Sequence, residues 1–271
     1  MRELPRSELT VSIGGLGAIG WPVARALDAG IPGLTLIAVA ARDRAAAKDK
    51  VGSLKTPVPV GTLAEMAAAD VVVECCPAAV FDEIAGPAIE AGRIFLPLSC
   101  GALLGRERLI QRAAQTGARI VVPTGALLGL DAVRAAAQGP VASITLTTRK
   151  PPGGLAGAPH IEKHNIDLNV SEPTLVFSGS AREAAAGFPA NINVGAALSL
   201  AGIGPDRTRV EIWADPTVDR NTHTVTVEAD AARFTMTIEN VPSENPRTGK
   251  LTPLSVLATL RGLVEPMRVG T

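Results

Sequence analysis

A chain of 271 residues is long enough for one large domain or two ordinary ones, each burying its own core. Lys+Arg and Asp+Glu both number 26, so no net field favours nucleic acid or an anionic membrane. Aromatic residues make up 3% with no tyrosine, which leaves few platforms for stacking bases and a core of Ala, Val, Leu and Ile.

In chain order, the first half alternates wholly apolar runs with helical patterns. "LTVSIGG" (9–15) reads as a strand, followed by a helix pattern from Ala18 to Ala29 that stops at Gly30. "LTLIAVAA" (34–41), "VVVECCP" (71–77), "RIFLPLS" (93–99) and "ARIVVPT" (118–124) are further buried runs, several separated by Ala-rich helical segments. Strands apolar throughout and alternating with helices predict a parallel sheet covered on both faces.

The pattern changes after about Leu130. "SITLTTRK" (143–150), "VEIWADP" (210–216), "THTVTVEAD" (222–230) and "RFTMTIEN" (233–240) alternate apolar with polar, as in a mixed or antiparallel sheet with one wet face. A helix-rich stretch, "FPANINVGAALSLAG" (188–202), lies among them, and "TPLSVLATLRGLV" (252–264) reads as an amphipathic helix. The expected fold is α/β: a Rossmann-type dinucleotide-binding domain with a parallel sheet over 1–130, and a second α+β domain with a mixed or antiparallel sheet over 131–250. Residues 251–271 are expected to return to the first domain.

No apolar run reaches the ~18 residues of a membrane span, and the start "MRELPRSELT" is too polar for a signal peptide. Three cysteines, two adjacent (Cys75 and Cys76) and none in C-x-x-C spacing, make neither a disulfide framework nor a structural zinc site. A soluble protein of a reducing, cytoplasmic compartment is expected, with no metal.

Gly15, Gly17 and Gly20 fit G-x-G-x-x-G at the first strand-to-helix turn. The first glycine makes the tight turn, the second admits a pyrophosphate, and the third lets helix and strand approach. Together with the flanking Ala18 and Ile19 they lie at a helix N-terminus suited to phosphates, which predicts bound NAD or NADP; the alternative is a tight turn with no ligand. After the second strand stands "AARDR". Arg42 occupies the place where a guanidinium stacks on adenine or meets a 2′-phosphate, and Asp43 comes one residue late for a ribose. The residues leave NAD and NADP both open.

Loops at the expected carboxyl ends, "ECCPAAV", "SCGAL" and "PTGALLGLD", are built of small residues that suit a flat nicotinamide. Cys75, Cys76 and Cys100 lie in them without a nearby base in sequence and read as packing residues. His160 and His164, four apart after Pro159, read as surface residues rather than metal ligands. His223 alternates with Val225, Val227 and Ala229, which places an imidazole on a core-like face. A satisfied core residue is the ordinary explanation of such a histidine.

Nearly the whole chain resembles the L-aspartate dehydrogenases. The resemblance rests on "GGLGAIG", "VVVECCPAAV", "PTGALLGLDAV", "TTRKPPGGLAGAP", "FPANINVGAALSLAGIGPDRT", "ADPTVDRNTHTV" and "NVPSENPRTGKLTPLSVLATLR". The stretches after residue 145 are far more specific than the glycine loop. The resemblance implies oxidation of L-aspartate with NAD(P)⁺ to iminoaspartate, which hydrolyses to oxaloacetate and ammonia, a supply of imine to pyridine nucleotide biosynthesis in some organisms, and a homodimer. It implies that His223 is the catalytic histidine and that Ala126 and an asparagine of the pair Asn191/Asn193 contact the cofactor, with Asn193 preferred from its spacing to His223. "PTGALLG" lacks the serine expected before its glycine, and "CC" replaces small aliphatic residues, both in cofactor loops.

On that reading His223 faces a cleft above the core valines, where a near-neutral imidazole suits proton work during imine formation and hydrolysis. Two substrate carboxylates need cationic or amide donors. Lys150, Lys163 and Arg220 are the cationic candidates, and Asn191 an amide one. The competing readings are another Rossmann oxidoreductase, of homoserine dehydrogenase or dihydrodipicolinate reductase type, and a nucleotide sensor that has kept the fold without catalysis. Substrate profiling separates the first, and cofactor binding without turnover marks the second.

Overall fold

In the computed structural model, which describes residues 8–189, 192–243 and 249–270, the chain divides into two units. One comprises the described residues up to Pro123 together with Thr252–Val269, and the other centres on Thr124–Leu251.

The first unit runs β1 (Leu9–Gly14), α1 (Gly20–Gly30), β2 (Leu34–Ala40), α2 (Arg44–Gly52), β3 (Val60–Gly61) and β4 (Val71–Glu74). It continues with α3 (Phe81–Glu90), β5 (Ile94–Pro97), α4 (Glu107–Thr116) and β6 (Arg119–Ile120). The strands are parallel, in the order β3-β2-β1-β4-β5-β6. This is the Rossmann arrangement, and chain direction across the sheet reverses between β1 and β4, where such sheets bind ligands. The reason for the wholly apolar strands is visible in β4. Val71 and Val73 enter one core with Val11, Ile13 and Val23, while Val72 enters another with Phe81, Ile84 and Phe95. β3, only two residues long, carries no periodicity to read.

The second unit runs α5 (Leu130–Ala136), β7 (Val141–Lys150), α6 (Pro159–Lys163), β8 (Thr174–Ser180) and α7 (Ala181–Gly187). It ends with α8 (Asn193–Ala201), β9 (Thr208–Ala214), β10 (Thr222–Ala229) and β11 (Arg233–Glu239). Its sheet is mixed, as expected, in the order β11-β10-β7-β9-β8, with β7 and β9 parallel and the other pairs antiparallel. One face packs Ile144, Leu146, Val210, Ile212, Val225 and Val227 against Val133, Phe188 and Leu198. The other face is threonine-rich, with Thr224 and Thr237 hydroxyls 3.0 Å apart across β10 and β11. β8 does not stand out in the sequence because its register shifts between Leu175 and Phe177, which breaks the period of two. A last helix, α9 (Leu251–Arg261), gives Val256 and Leu260 to the core of the first unit.

Candidate active site

Each glycine of the first loop answers a different steric demand. Gly15 has φ +93°, and a Cβ there would collide with the Cys75 carbonyl. A Cβ on Gly20 would run into the Gly15 carbonyl, so helix and strand could not approach. Gly17 is different: a Cβ would meet nothing within 4 Å. Two glycines therefore shape the turn, and the third keeps open the space in front of it. Ala18 and Ile19 lead into α1, whose N-cap, Ile19, makes no side-chain capping bond, so no side chain of the cap covers that helix start. These features fit a dinucleotide pyrophosphate. Lys50 of α2, which sequence reading did not single out, donates to the Leu16 carbonyl at 3.0 Å and braces the loop from behind.

Past β2, Arg42 is exposed and has no hydrogen-bond or ion-pair partner among the described residues. Asp43 is engaged: its carboxylate caps α2 by accepting from the Ala46 N–H at 3.0 Å. Arg44 donates to the Val60 carbonyl at 2.7 Å. Arg42 is thus the uncommitted side chain of this group. Its removal to alanine is expected to weaken NADP(H) by roughly 1.5–3 kcal/mol more than NAD(H), through a lost charge-assisted contact. Calorimetric titration of both cofactors checks this, and equal losses would limit Arg42 to the adenine face.

At the carboxyl end of β4, Glu74 is fully buried, a feature that the run "VVVE" disguises. Its carboxylate accepts from the N–H groups of Cys76 (2.7 Å), Leu98 (3.2 Å) and Ser99 (2.9 Å) and from the Ser99 hydroxyl (3.0 Å). Burial pushes its pKa up and these donors oppose the shift. Glu74 ties together the two small-residue loops beside the β1–β4 switch point. The thiols there are inert, since burial and then the Glu74 charge push Cys76 and Cys100 up to about 12 and Cys75 up as well.

In the second unit Ala126 lies in a loop held by Asn240, whose side-chain amide donates to the Ala126 carbonyl at 2.9 Å. Gly129, with φ +63°, lets the same loop press on Met236 of β11, where a Cβ would collide with the sulfur. Asn193 is the first residue of α8, and Asn191 lies outside the described residues.

His223 sits directly across from Thr148 in the β10–β7 ladder, and its Nδ1 is 3.1 Å from the Thr148 hydroxyl. Lys150, two residues along β7, lies on the same sheet face. His223, Thr148 and Lys150 are each about 5% exposed or less. Burial, and secondarily the Lys150 charge, lowers the His223 pKa to about 3, and burial lowers Lys150 to about 8. The near-neutral imidazole expected from sequence is therefore a ring held neutral. Thr148 engages Nδ1, which leaves Nε2 as the nitrogen available to a substrate.

This has a consequence for stability. The unfolded chain protonates His223 near pH 6.5, whereas the folded chain protonates it near 3. As pH falls from about 6.5 towards 3 the unfolded state binds the extra proton, so stability drops. Urea unfolding at pH 7.5 and 5 should show a loss in wild type that is smaller in His223→Asn.

Two other expected donors stand elsewhere. Arg220 turns to its neighbour Asp219 with contacts of 2.8 and 3.0 Å, and Lys163 is exposed at the end of α6. Of the three cationic candidates, Lys150 alone lies on the sheet face of His223. His160 is half-buried rather than on the surface, its ring 5.2 Å from Phe177 and 5.3 Å from Phe188, with His164 at 4.4 Å. Among the described residues, no group of three His, Cys, Asp or Glu is placed to hold a metal ion.

A Rossmann sheet with a phosphate-shaped glycine loop, followed by a mixed-sheet unit carrying a buried histidine, defines an NAD(P)-dependent oxidoreductase. Residues 15–123 match the family model for the NAD-binding domain of homoserine dehydrogenase, and residues 131–263 match that for the C-terminal part of aspartate dehydrogenase. An L-aspartate dehydrogenase 3 of Bordetella bronchiseptica is 53% identical, the match covering 98% of this chain and 99% of that one. An L-aspartate dehydrogenase of Bradyrhizobium diazoefficiens is 54% identical, with coverage of 98% and 95%. The crystal structure of aspartate dehydrogenase from Thermotoga maritima superposes with a TM-score of 0.76 at 26% identity, covering 97% of this chain and 99% of that one. The chain belongs to the L-aspartate dehydrogenase family.

Proposed function

We propose that the protein oxidises L-aspartate with NAD⁺ or NADP⁺ to iminoaspartate, which hydrolyses to oxaloacetate and ammonia. The carrying observation is the buried His223, held by Thr148 on the sheet face that also carries Lys150, in a chain about half identical to L-aspartate dehydrogenases over its whole length.

Residues 1–130 serve as the dinucleotide domain, 131–250 as the substrate and dimerisation domain, and 251–271 as the closing segment. Gly15, Gly17, Ala18, Ile19 and Gly20 receive the pyrophosphate, and Arg42 the adenosine end. Ala126, braced by Asn240, and Asn193 meet the nicotinamide half. NAD(P)⁺, when bound, supplies the hydride acceptor for the amine-bearing carbon. His223 presents Nε2 to the reacting carbon, where a neutral ring orients the water that attacks the imine. Lys150, Lys163, Arg220 and Asn191 are the candidates to meet the carboxylates of a doubly anionic substrate. A cytoplasmic homodimer that feeds pyridine nucleotide biosynthesis follows from the family resemblance. Light scattering on a sized sample should give twice the chain mass of 27.8 kDa.

The test is a spectrophotometric screen of NAD⁺ and NADP⁺ reduction across amino and hydroxy acids. L-aspartate should lead it. Preference for homoserine would move the chain to another dehydrogenase activity, and cofactor binding without any turnover would make it a sensor.

A further inference from the structure

Two buried bases share one sheet face, and the reaction must remove one proton before hydride can leave. An ammonium has no lone pair to form the imine, so the substrate nitrogen first passes one N–H proton to a base. No bond to carbon changes in that step. Sequence alone nominates the histidine for it.

The strand register argues otherwise. His223 lies opposite Thr148, so Lys150 is its diagonal neighbour on the same face, a spacing that long side chains span. Thr148 holds Nδ1 at 3.1 Å. Two cations this close in a desolvated place oppose each other, and the one that protonates last is the weaker base.

We propose that Lys150, not His223, takes the proton that the substrate ammonium loses, with His223 a neutral ring oriented by Thr148. The proposal rests on the reading of the protein as an amine-oxidising dehydrogenase. It assigns Lys150 a proton-transfer role in place of simple carboxylate anchoring. The titration order agrees: Lys150 lies at about 8, inside the working range, and His223 at about 3, far below it.

Among the described residues, the charged side chains of the neighbouring elements have other partners or are exposed. Asp215, after β9, gives its N–H to the Lys150 carbonyl, but its carboxylate is taken by Thr217 and Arg149. Arg209 and Glu211 of β9 pair with each other, as do Glu228 and Arg233 of β10 and β11, and Glu239 is exposed. Neither β8 nor α8 carries an ionisable residue. In α5, Asp131 and Arg134 are exposed; in α7, Arg182 pairs with Asp206 and Glu183 with Ser180. In α6, His160 packs on Phe177, while Glu162 and Lys163 are exposed.

The experiment has two arms on the full chain. In the first, kcat and kcat/KM for L-aspartate are followed against pH in wild type, Lys150→Met and His223→Asn, with thermal melts to confirm folding. Wild type should gain activity as pH rises through about 8. Lys150→Met should lose that limb and fall about 10²–10⁴-fold in kcat. His223→Asn should keep the limb at lower amplitude. A limb that survives in Lys150→Met, or a defect there confined to KM, would overturn the proposal.

The second arm needs no variant to be active. The chain has three histidines, so imidazole NMR titration of wild type resolves each ring, and the signal missing in His223→Asn assigns His223. A ring neutral from pH 6 to 10 supports the proposal, and a midpoint between 6 and 8 overturns it. Should L-aspartate prove inert, the functional reading fails in the first arm alone. The second arm still decides which base is protonated, and the pH profile is then taken with the amine that the screen selects.

Discussion

Replacing His223 by asparagine is expected to lower L-aspartate turnover by about 10²–10⁴-fold, the contribution of a positioned proton-handling or hydrogen-bonding group. NAD(P)H affinity should stay near wild type, because the glycine loop and Arg42 belong to the other unit. Melting temperature does not separate a core role from a catalytic one. His223 is 4% exposed and engages the Thr148 hydroxyl, so it is a packed, hydrogen-bonded residue as well as the candidate catalytic one. Truncation to alanine vacates a buried site and strands the hydroxyl, at a cost of about 1–3 kcal/mol. Asparagine returns an amide near the hydroxyl and should cost less. Turnover per folded molecule, measured on preparations whose melts are known, therefore carries the test. A variant with near-normal turnover would reduce His223 to a core residue.

The same residue shows where sequence reading stops. Alternation in "THTVTVEAD" places His223 with Val225 and Val227 on the buried face, and all three are buried there. Periodicity reports the face of a strand but not its neighbour. Thr148 and Lys150 become partners of His223 only once β7 and β10 are paired in register, across 75 residues of chain between His223 and Thr148. The glycine loop was legible because its demands are local: a strand, a turn and a helix start, all between Leu9 and Gly20. Glu74 was not legible. A carboxylate at the end of an apolar run looks like a strand leaving the core, and its four donors come from two loops more than 20 residues apart in sequence. Asn240 and Lys50 act the same way, each fixing a loop carbonyl that is remote in sequence. What single-sequence patterns miss here is the set of polar side chains that hold functional loops in place.

The second large effect is expected at Gly17. Gly17→Val should abolish NAD(P)H binding in a calorimetric titration and leave the melting temperature close to wild type. Both halves of that outcome follow from the loop. Gly17 is exposed, its φ is not in the left-handed region, and a Cβ there meets no protein atom within 4 Å. The folded chain consequently has room for valine, and the only cost is the modest stiffness of a β-branched residue in a turn. The space the side chain fills is the one a pyrophosphate needs in order to reach the backbone at the α1 N-terminus. Gly15→Val is the matched control, since it places the same side chain where φ is +93° and the Cys75 carbonyl blocks it. It should lose melting temperature as well as binding. If Gly17→Val binds NAD(P)H with unchanged affinity, the loop is a tight turn and nothing more, and the cofactor must be sought elsewhere in the fold.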